Sequence, residues 1–275
     1  MNLSPAMLGV GFCLAIGPIP STCADAVATP GGAVAVGVVS APCAQVPVRP
    51  TPAHEAAADP HASWMHDWLA VDWGQRCRYE SENAALAPAS RTRVVFLGDS
   101  ITEGWKEVDP ALFDGDRIDR GISGQTTGQM LVRFRADVLD LRPAVVHIMA
   151  GTYDIAGNRG PTSLRIIQGN LMSMVEQARA HKIRVVLASI PPAAQFSWRS
   201  EIDPAPSIRA MNAWIKAYAA RRHLVYVDYY AALVDPNQGL QAALSPDGVH
   251  PNAAGYAVMR SLALEALKRA TIAPR

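Results

Sequence analysis

The chain reads as an α/β protein built on a parallel sheet, and three observations predict it. Short apolar runs alternate with amphipathic segments of more than ten residues, which is the pattern of βαβ units. Five strands are countable, at 94–97, 117–120, 144–150, 183–190 and 224–227. The stretches richest in Gly, Ser, Thr and Asp follow the ends of the first three strands. That edge is where open α/β sheets hold their ligands.

Taken in order, residues 62–86 read as an amphipathic helix with Trp64, Trp68, Leu69 and Trp73 on its apolar face, a stripe expected to pack rather than bind. Residues 94–97 are wholly apolar, as a strand covered on both faces must be. Pro110 opens a short helix that Asp114-Gly115 ends. Residues 117–120, largely charged around Ile118, read as an edge-like strand that leads to the next block. Thr126 or Thr127 caps a helix running through Leu141. The strand at 144–150 carries His147 at its middle, read as a core or edge histidine. Residues 162–180 form a helix, and Pro191-Pro192 stops the next strand. A helix at 206–222, a strand at 224–227 and a final helix at 252–270, capped by Asn252, complete the pattern.

The segment Val94-Val95-Phe96-Leu97-Gly98-Asp99-Ser100-Ile101-Thr102 carries the chemistry. A buried strand, a sharp Gly-Asp turn and a Ser in the first helical turn place a hydroxyl beside backbone N–H groups able to stabilise an oxyanion. A serine hydroxyl needs a base. Ser245-Pro246-Asp247-Gly248-Val249-His250 supplies an imidazole with a carboxylate three residues before it. Asp99 and Asp154 read as turn and cap residues. Trp105, Phe196 and Trp198 either line an acyl or sugar pocket or pack in the core. No His/Cys/Asp cluster has metal-ligand spacing and no phosphate loop is present, so neither a metal nor another cofactor is expected.

These segments resemble the SGNH (GDSL-type) hydrolase family. Gly98-Asp99-Ser100 resembles its nucleophile block and Asp247-x-x-His250 its acid/base block. Gly121-Ile122-Ser123-Gly124-Gln125 resembles the second block, in which Gly124 matches a glycine whose N–H serves the oxyanion hole. Gly151-Thr152-Tyr153-Asp154 resembles the third, which reads Gly-x-Asn-Asp in the family. The resemblance spans roughly residues 60–272. It implies a three-layer α/β/α, flavodoxin-like fold with a five-stranded parallel sheet, and cofactor-free hydrolysis of a small carboxylic ester, a carbohydrate acetyl ester or a lipid ester. Ser100 is then the nucleophile, His250 the base and Asp247 its orienting partner. Ser100, Gly124 and the residue at 153 form the oxyanion hole. Tyr153 departs from the family's Asn. A phenol hydroxyl lies farther from its backbone than an Asn amide, so the expectation is a hole short of one donor. Such a loss typically costs about 10²–10³ in kcat, and on this reading Asn at 153 would raise kcat. Readings that keep the fold with other chemistry are a non-catalytic sugar- or lipid-binding protein and an O-acyltransferase or lysophospholipase.

The 275-residue chain is long enough to bury about three quarters of its unfolded surface. Its net charge of +1 and its scattered basic residues exclude the clustered charge of a nucleic-acid binder. Residues 1–58 read as a leader and linker, and 59–275 as the hydrolase domain. The apolar run at 6–16 is too short to span a bilayer, and Ala24-Asp25-Ala26 offers a small-x-small cleavage site, although no basic segment precedes the run. Secretion or export to a periplasm follows as the expectation. Cys13, Cys23 and Cys43 fall in the leader, which leaves Cys77 alone in the domain, with no disulfide expected.

Overall fold

A computed structural model describes Cys43, Val46 and residues 69–272. Apart from Cys43 and Val46, the segment read as leader and linker at 1–58, together with Trp64 and Trp68, lies outside the described residues. Helix α1 (Glu80–Ala85) leads to β1 (Val94–Gly98), α2 (Ser100–Val108) and a 3₁₀ turn at Pro110–Phe113. Strand β2 (Arg117–Gly121) and α3 (Thr127–Phe134) follow, the latter running into a π-turn at Arg135–Leu139. Then come β3 (Val145–Ile148), α4 (Thr152–Ile155), α5 (Leu164–Ala180), β4 (Arg184–Ala188) and α6 (Ala205–Arg221). Strand β5 (Val225–Val227), α7 (Tyr229–Leu233) and α8 (Ala253–Ile272) end the domain.

The five strands are all parallel and lie in the order β2-β1-β3-β4-β5. Successive strand residues point to opposite faces, and the two cores divide on that alternation. Val95, Leu97, Val146, Ile148, Val185 and Leu187 meet the apolar stripes of α3, α5 and α6. Val94, Phe96, Val145, Val186, Ala188 and Val227 meet α2, α7 and α8. This is the expected three-layer α/β/α fold with its five parallel strands. The chain passes to opposite faces after β1 and β3, so the crevice for a ligand opens at their C-terminal ends.

Two sequence expectations are corrected. The helix expected over 62–86 does not run through: the chain is helical at 69–71 and again only in α1. Asp72 explains the break. Its carboxylate accepts from the Arg76 N–H at 3.0 Å and the Cys77 N–H at 2.9 Å, so a side chain takes donors that a helix would have used. Cys77 is also not a lone thiol, because it forms a disulfide with Cys43, across a sequence separation of 34. Spacing cannot reveal such a pairing, since nothing in Cys43's own surroundings marks it as part of the domain. A smaller correction concerns α3: it is α-helical only to Phe134, and the π-turn carries it to Leu139. Asn252 caps α8 as read, accepting from the Gly255 N–H at 3.1 Å. His147 is a core residue bonded to the Tyr229 hydroxyl at 2.9 Å, and burial lowers it to about 3, so it is neutral.

Two measurements test this account. An unreduced tryptic digest should contain a Cys43–Cys77 linked peptide, and Cys77→Ser should cost about 2–4 kcal/mol of stability. Absence of that peptide, or an unchanged melting temperature, would contradict the bond. The second concerns Asp119, whose carboxyl burial pushes up to about 7 despite a hydrogen bond from the Gly121 N–H. An unfolded Asp releases its proton near about 4. Between those values the folded chain binds more protons than the unfolded one, so stability falls as pH rises from about 4 to 7. Asp119→Asn should flatten that decline in melting temperature; a slope identical to the parent's would show Asp119 ionised in the fold.

Candidate active site

The end of β1 turns sharply into α2. The Asp99 side chain accepts from the Ile101 N–H at 3.0 Å and caps the helix, which leaves Ser100 at its first position. Burial raises the Asp99 carboxyl to about 6, and the Ile101 N–H opposes the shift. Asp99 is thus the turn and cap residue the sequence suggests. The turn is tight enough that Gly121, at the end of β2, cannot carry a side chain: a Cβ there would stand 2.1 Å from the Glu103 nitrogen.

The loop after β2 brings Gly124 alongside. Its φ of +76° lies in the left-handed region that favours glycine. The Ser123 N–H donates to Glu103 Oε2 at 2.7 Å, which fixes the loop to α2. The backbone N–H groups of Ser100 and Gly124 form no hydrogen bond among the described residues. They are free to receive a ligand.

Beneath this loop lies a fully buried guanidinium. Arg133 Nη2 donates to the carbonyls of Gly98 at 3.1 Å and Arg120 at 2.8 Å, the ends of β1 and β2. Its Nε donates to Gln125 Oε1 at 2.6 Å, and its charge is met by Asp137 Oδ2 at 3.0 Å. The loop after β3 is tied in similarly. Asp154 accepts from the Thr127 N–H at 2.8 Å and hydroxyl at 2.6 Å, joining the third block to the start of α3. At the cap of α3 it is Thr126 whose N–H meets Gln129 Oε1, at 3.1 Å.

The loop before α8 presents His250. Asp247 Oδ1 accepts from the N–H groups of Val249 at 2.9 Å and His250 at 2.7 Å, and its Oδ2 meets His250 Nδ1 at 2.7 Å. One carboxylate therefore shapes the turn and orients the ring. Burial alone would raise the Asp247 carboxyl; the bonds from the His250 ring and the two N–H groups outweigh it and bring it to about 2. The Tyr256 hydroxyl, on α8, donates to the Ile101 carbonyl at 2.8 Å, clamping this loop's helix to α2.

The three residues singled out in the sequence converge. Ser100 Oγ lies 2.8 Å from His250 Nε2, 150 residues away. Tyr153 joins them from α4: its hydroxyl is 2.8 Å from Ser100 Oγ. The ring is buried and stacks on Trp198, with centroids 5.4 Å apart. Trp198 is held in turn by Nε1–H donation to Asn158 Oδ1 at 3.0 Å. Burial raises the phenol's pKa well above the ordinary tyrosine range, so it stays protonated. Of the three aromatics read as pocket or core, Trp105 and Phe196 are fully buried core residues. Trp198 alone reaches the site. Sequence reasoning missed Arg133, because a charged residue within an amphipathic helix looks like part of its solvated face.

A hydroxyl, an imidazole and a carboxylate in hydrogen-bonded series, at the carboxyl edge of a parallel sheet, form the arrangement of a serine hydrolase. The model of the GDSL-like lipase/acylhydrolase family matches residues 96–258, and the chain belongs to that family. Membership places it among carboxylic ester hydrolases. A crystal structure of a GDSL-like lipase from Bacteroides thetaiotaomicron is 45% identical, covering 72% of this chain and 99% of that one, with a TM-score of 0.70. Esterase TesA of Pseudomonas aeruginosa is 28% identical over 179 residues, 59% of this chain and 81% of that protein. The uncharacterized lipoprotein YqeF of Bacillus subtilis is 36% identical over 117 residues, 36% of this chain. That last match spans about half of the lipoprotein, 48% of its length. Among the described residues no helix is long and apolar enough to cross a membrane.

Proposed function

We propose that this chain hydrolyses small carboxylic esters, with Ser100 as nucleophile, His250 as general base and Asp247 as the group that holds the imidazole. The observation that carries the reading is the position of Ser100 Oγ, 2.8 Å from both His250 Nε2 and the Tyr153 hydroxyl. The serine has one proton. If it donates to Nε2, as a base requires, the protonated phenol must donate to Oγ. His250 Nδ1–H then points to Asp247 Oδ2, which selects the tautomer with a free Nε2 lone pair. Attack of Oγ on the ester carbonyl passes the proton to Nε2, and the imidazolium returns it to the departing alcohol. Water repeats the sequence on the acyl-enzyme and releases the acid.

The oxyanion would be met by the Ser100 and Gly124 N–H groups and by Tyr153. Two oxygens on one tetrahedral carbon lie closer together than a hydrogen-bond length. A phenol already bonded to Oγ therefore reaches the oxyanion by turning its O–H, without any shift of the loop. The extra length of the tyrosine is taken up across the site rather than away from it, so the phenol replaces the family's Asn donor instead of vacating its place. Its ring, packed on Trp198, favours short acyl groups over long ones.

Export is part of the proposal. Disulfides persist in oxidising compartments, and Cys43–Cys77 pairs a residue of the segment read as leader and linker with the domain. A secreted or periplasmic site accords with the apolar run at 6–16.

A fluorophosphonate probe should label the parent chain once, on the peptide containing Ser100, and equal labelling of Ser100→Ala would refute the nucleophile. On 4-nitrophenyl acetate, Tyr153→Phe should lower kcat about ten- to a hundredfold with little change in KM, the signature of a donor used in the transition state. Tyr153→Asn should retain more activity than Tyr153→Phe, because an amide can still donate. Undiminished kcat in Tyr153→Phe would remove the phenol from the chemistry.

A further inference from the structure

The loop after α4 holds a cation that the reaction does not use. Arg159 lies between Gly157 (φ +65°) and Gly160 (φ +95°), and its Nη2 comes within 3.9 Å of where a Cβ on Gly124 would stand. Among the described residues no carboxylate meets its charge. Nη1 has only a long contact, 3.5 Å, to the Asn158 carbonyl. Nε is buried with no partner, and Arg159 forms no ion pair among the described residues. The neighbouring Arg199 shows the ordinary structural pattern: it pairs with Glu201 at 2.6 Å and donates to the Gly157 carbonyl at 3.3 Å. A half-buried guanidinium with a buried Nε unpartnered and no carboxylate beside it among the described residues is costly to the fold alone. Its planar fork suits a carboxylate.

Its place relates that fork to the reacting centre. Arg159 leans over Gly124 and follows Asn158, whose N–H donates to the Tyr153 carbonyl at 3.1 Å; the Tyr153 phenol is 2.8 Å from Ser100 Oγ. Trp198, stacked on Tyr153 and bonded to Asn158, forms the wall beside it. We propose that Arg159 is a specificity residue that binds a carboxylate carried by the ester substrate, so that anionic esters are preferred over neutral ones of the same shape. This rests on the esterase reading above and deepens it. The guanidinium does not take part in proton transfer. It gains in the bound complex the hydrogen bonds it lacks in the free chain.

Two matched substrate pairs test it. The mono-4-nitrophenyl ester of succinic acid and its methyl-capped counterpart place the charge on the acyl side. The acetate esters of 4-hydroxybenzoic acid and of methyl 4-hydroxybenzoate place it on the leaving side. The quantity read is the acid-to-neutral ratio of kcat/KM, compared between parent and variants, so that intrinsic reactivity cancels. In at least one pair Arg159→Gln should lower that ratio about ten- to a hundredfold, the value of one charge-assisted contact. Arg159→Lys, a charge without the fork, should fall between. A ratio unchanged by Arg159→Gln in both pairs overturns the proposal. A comparison needing no variant runs beside these: 4-hydroxybenzoate should inhibit neutral-ester hydrolysis by the parent at least tenfold more strongly than 4-hydroxybenzamide, and equal inhibition contradicts the proposal. Failure of the parent to hydrolyse any of the four esters would instead defeat the esterase reading and this inference with it. Neutral-ester hydrolysis lost in Ser100→Ala, together with a charge ratio that Arg159→Gln leaves unchanged in both pairs, would defeat this inference alone.

Discussion

The geometry of the site depends on one buried cation. The carbonyls of Gly98 and Arg120, near the ends of β1 and β2, are buried, and a buried carbonyl has two lone pairs to satisfy; that of Gly98 also accepts from the Ile122 N–H at 3.1 Å. Arg133 binds both carbonyls with a single nitrogen, and holds Gln125 of the neighbouring loop with another. Its own charge is balanced by Asp137, one turn on, and both side chains are wholly buried. Breaking such a pair by removing one partner typically costs about 3–5 kcal/mol. The β1 turn that presents Ser100 and the β2 loop that presents Gly124 thus share one anchor. Their relative position is fixed before any substrate arrives, which is what preorganised oxyanion stabilisation requires.

Around that anchor the other braces are short and local. Asp154 fastens the third block to α3, and Tyr256 fastens the His250 helix to α2. A further brace comes from the segment that carries the disulfide. Tyr79, two residues after Cys77, donates its hydroxyl to the Gly121 carbonyl, and its ring lies under the Arg120 guanidinium at 4.4 Å. Gln129 reaches the Trp73 carbonyl at 2.8 Å and Gln125 the Gly74 carbonyl at 3.3 Å. The segment before β1 is therefore a floor for the loop that carries Gly124, and Cys43–Cys77 secures it covalently.

Much of this was legible in the sequence because the signals were local. Wholly apolar runs such as Val94 to Leu97 mark strands buried on both faces, and Asn252, Asp99 and Asp247 sit where caps and turns need them. What escaped depended on contacts distant in sequence. The helix expected over 62–86 failed because one carboxylate, Asp72, took the donors at Arg76 and Cys77. Cys43 could not be assigned to the domain without its partner. Arg133 reads as a surface residue until the strand ends it serves are known. Tyr153 was recognised as a departure, but the direction of its ring is set by Trp198 and Asn158, which the motif does not contain.

The central claim is that Ser100 Oγ attacks between an imidazole and a phenol, with the developing charge directed toward Gly124 and Tyr153. The most direct measurement is a crystal structure of the chain inactivated by diethyl 4-nitrophenyl phosphate, whose phosphoryl group mimics the tetrahedral intermediate. The account requires a covalent bond to Ser100 Oγ, with the phosphoryl oxygen within hydrogen-bond reach of the Ser100 and Gly124 N–H groups and the Tyr153 hydroxyl. An adduct on another residue, or a phosphoryl oxygen turned away from Tyr153 and Gly124 toward solvent, would contradict it.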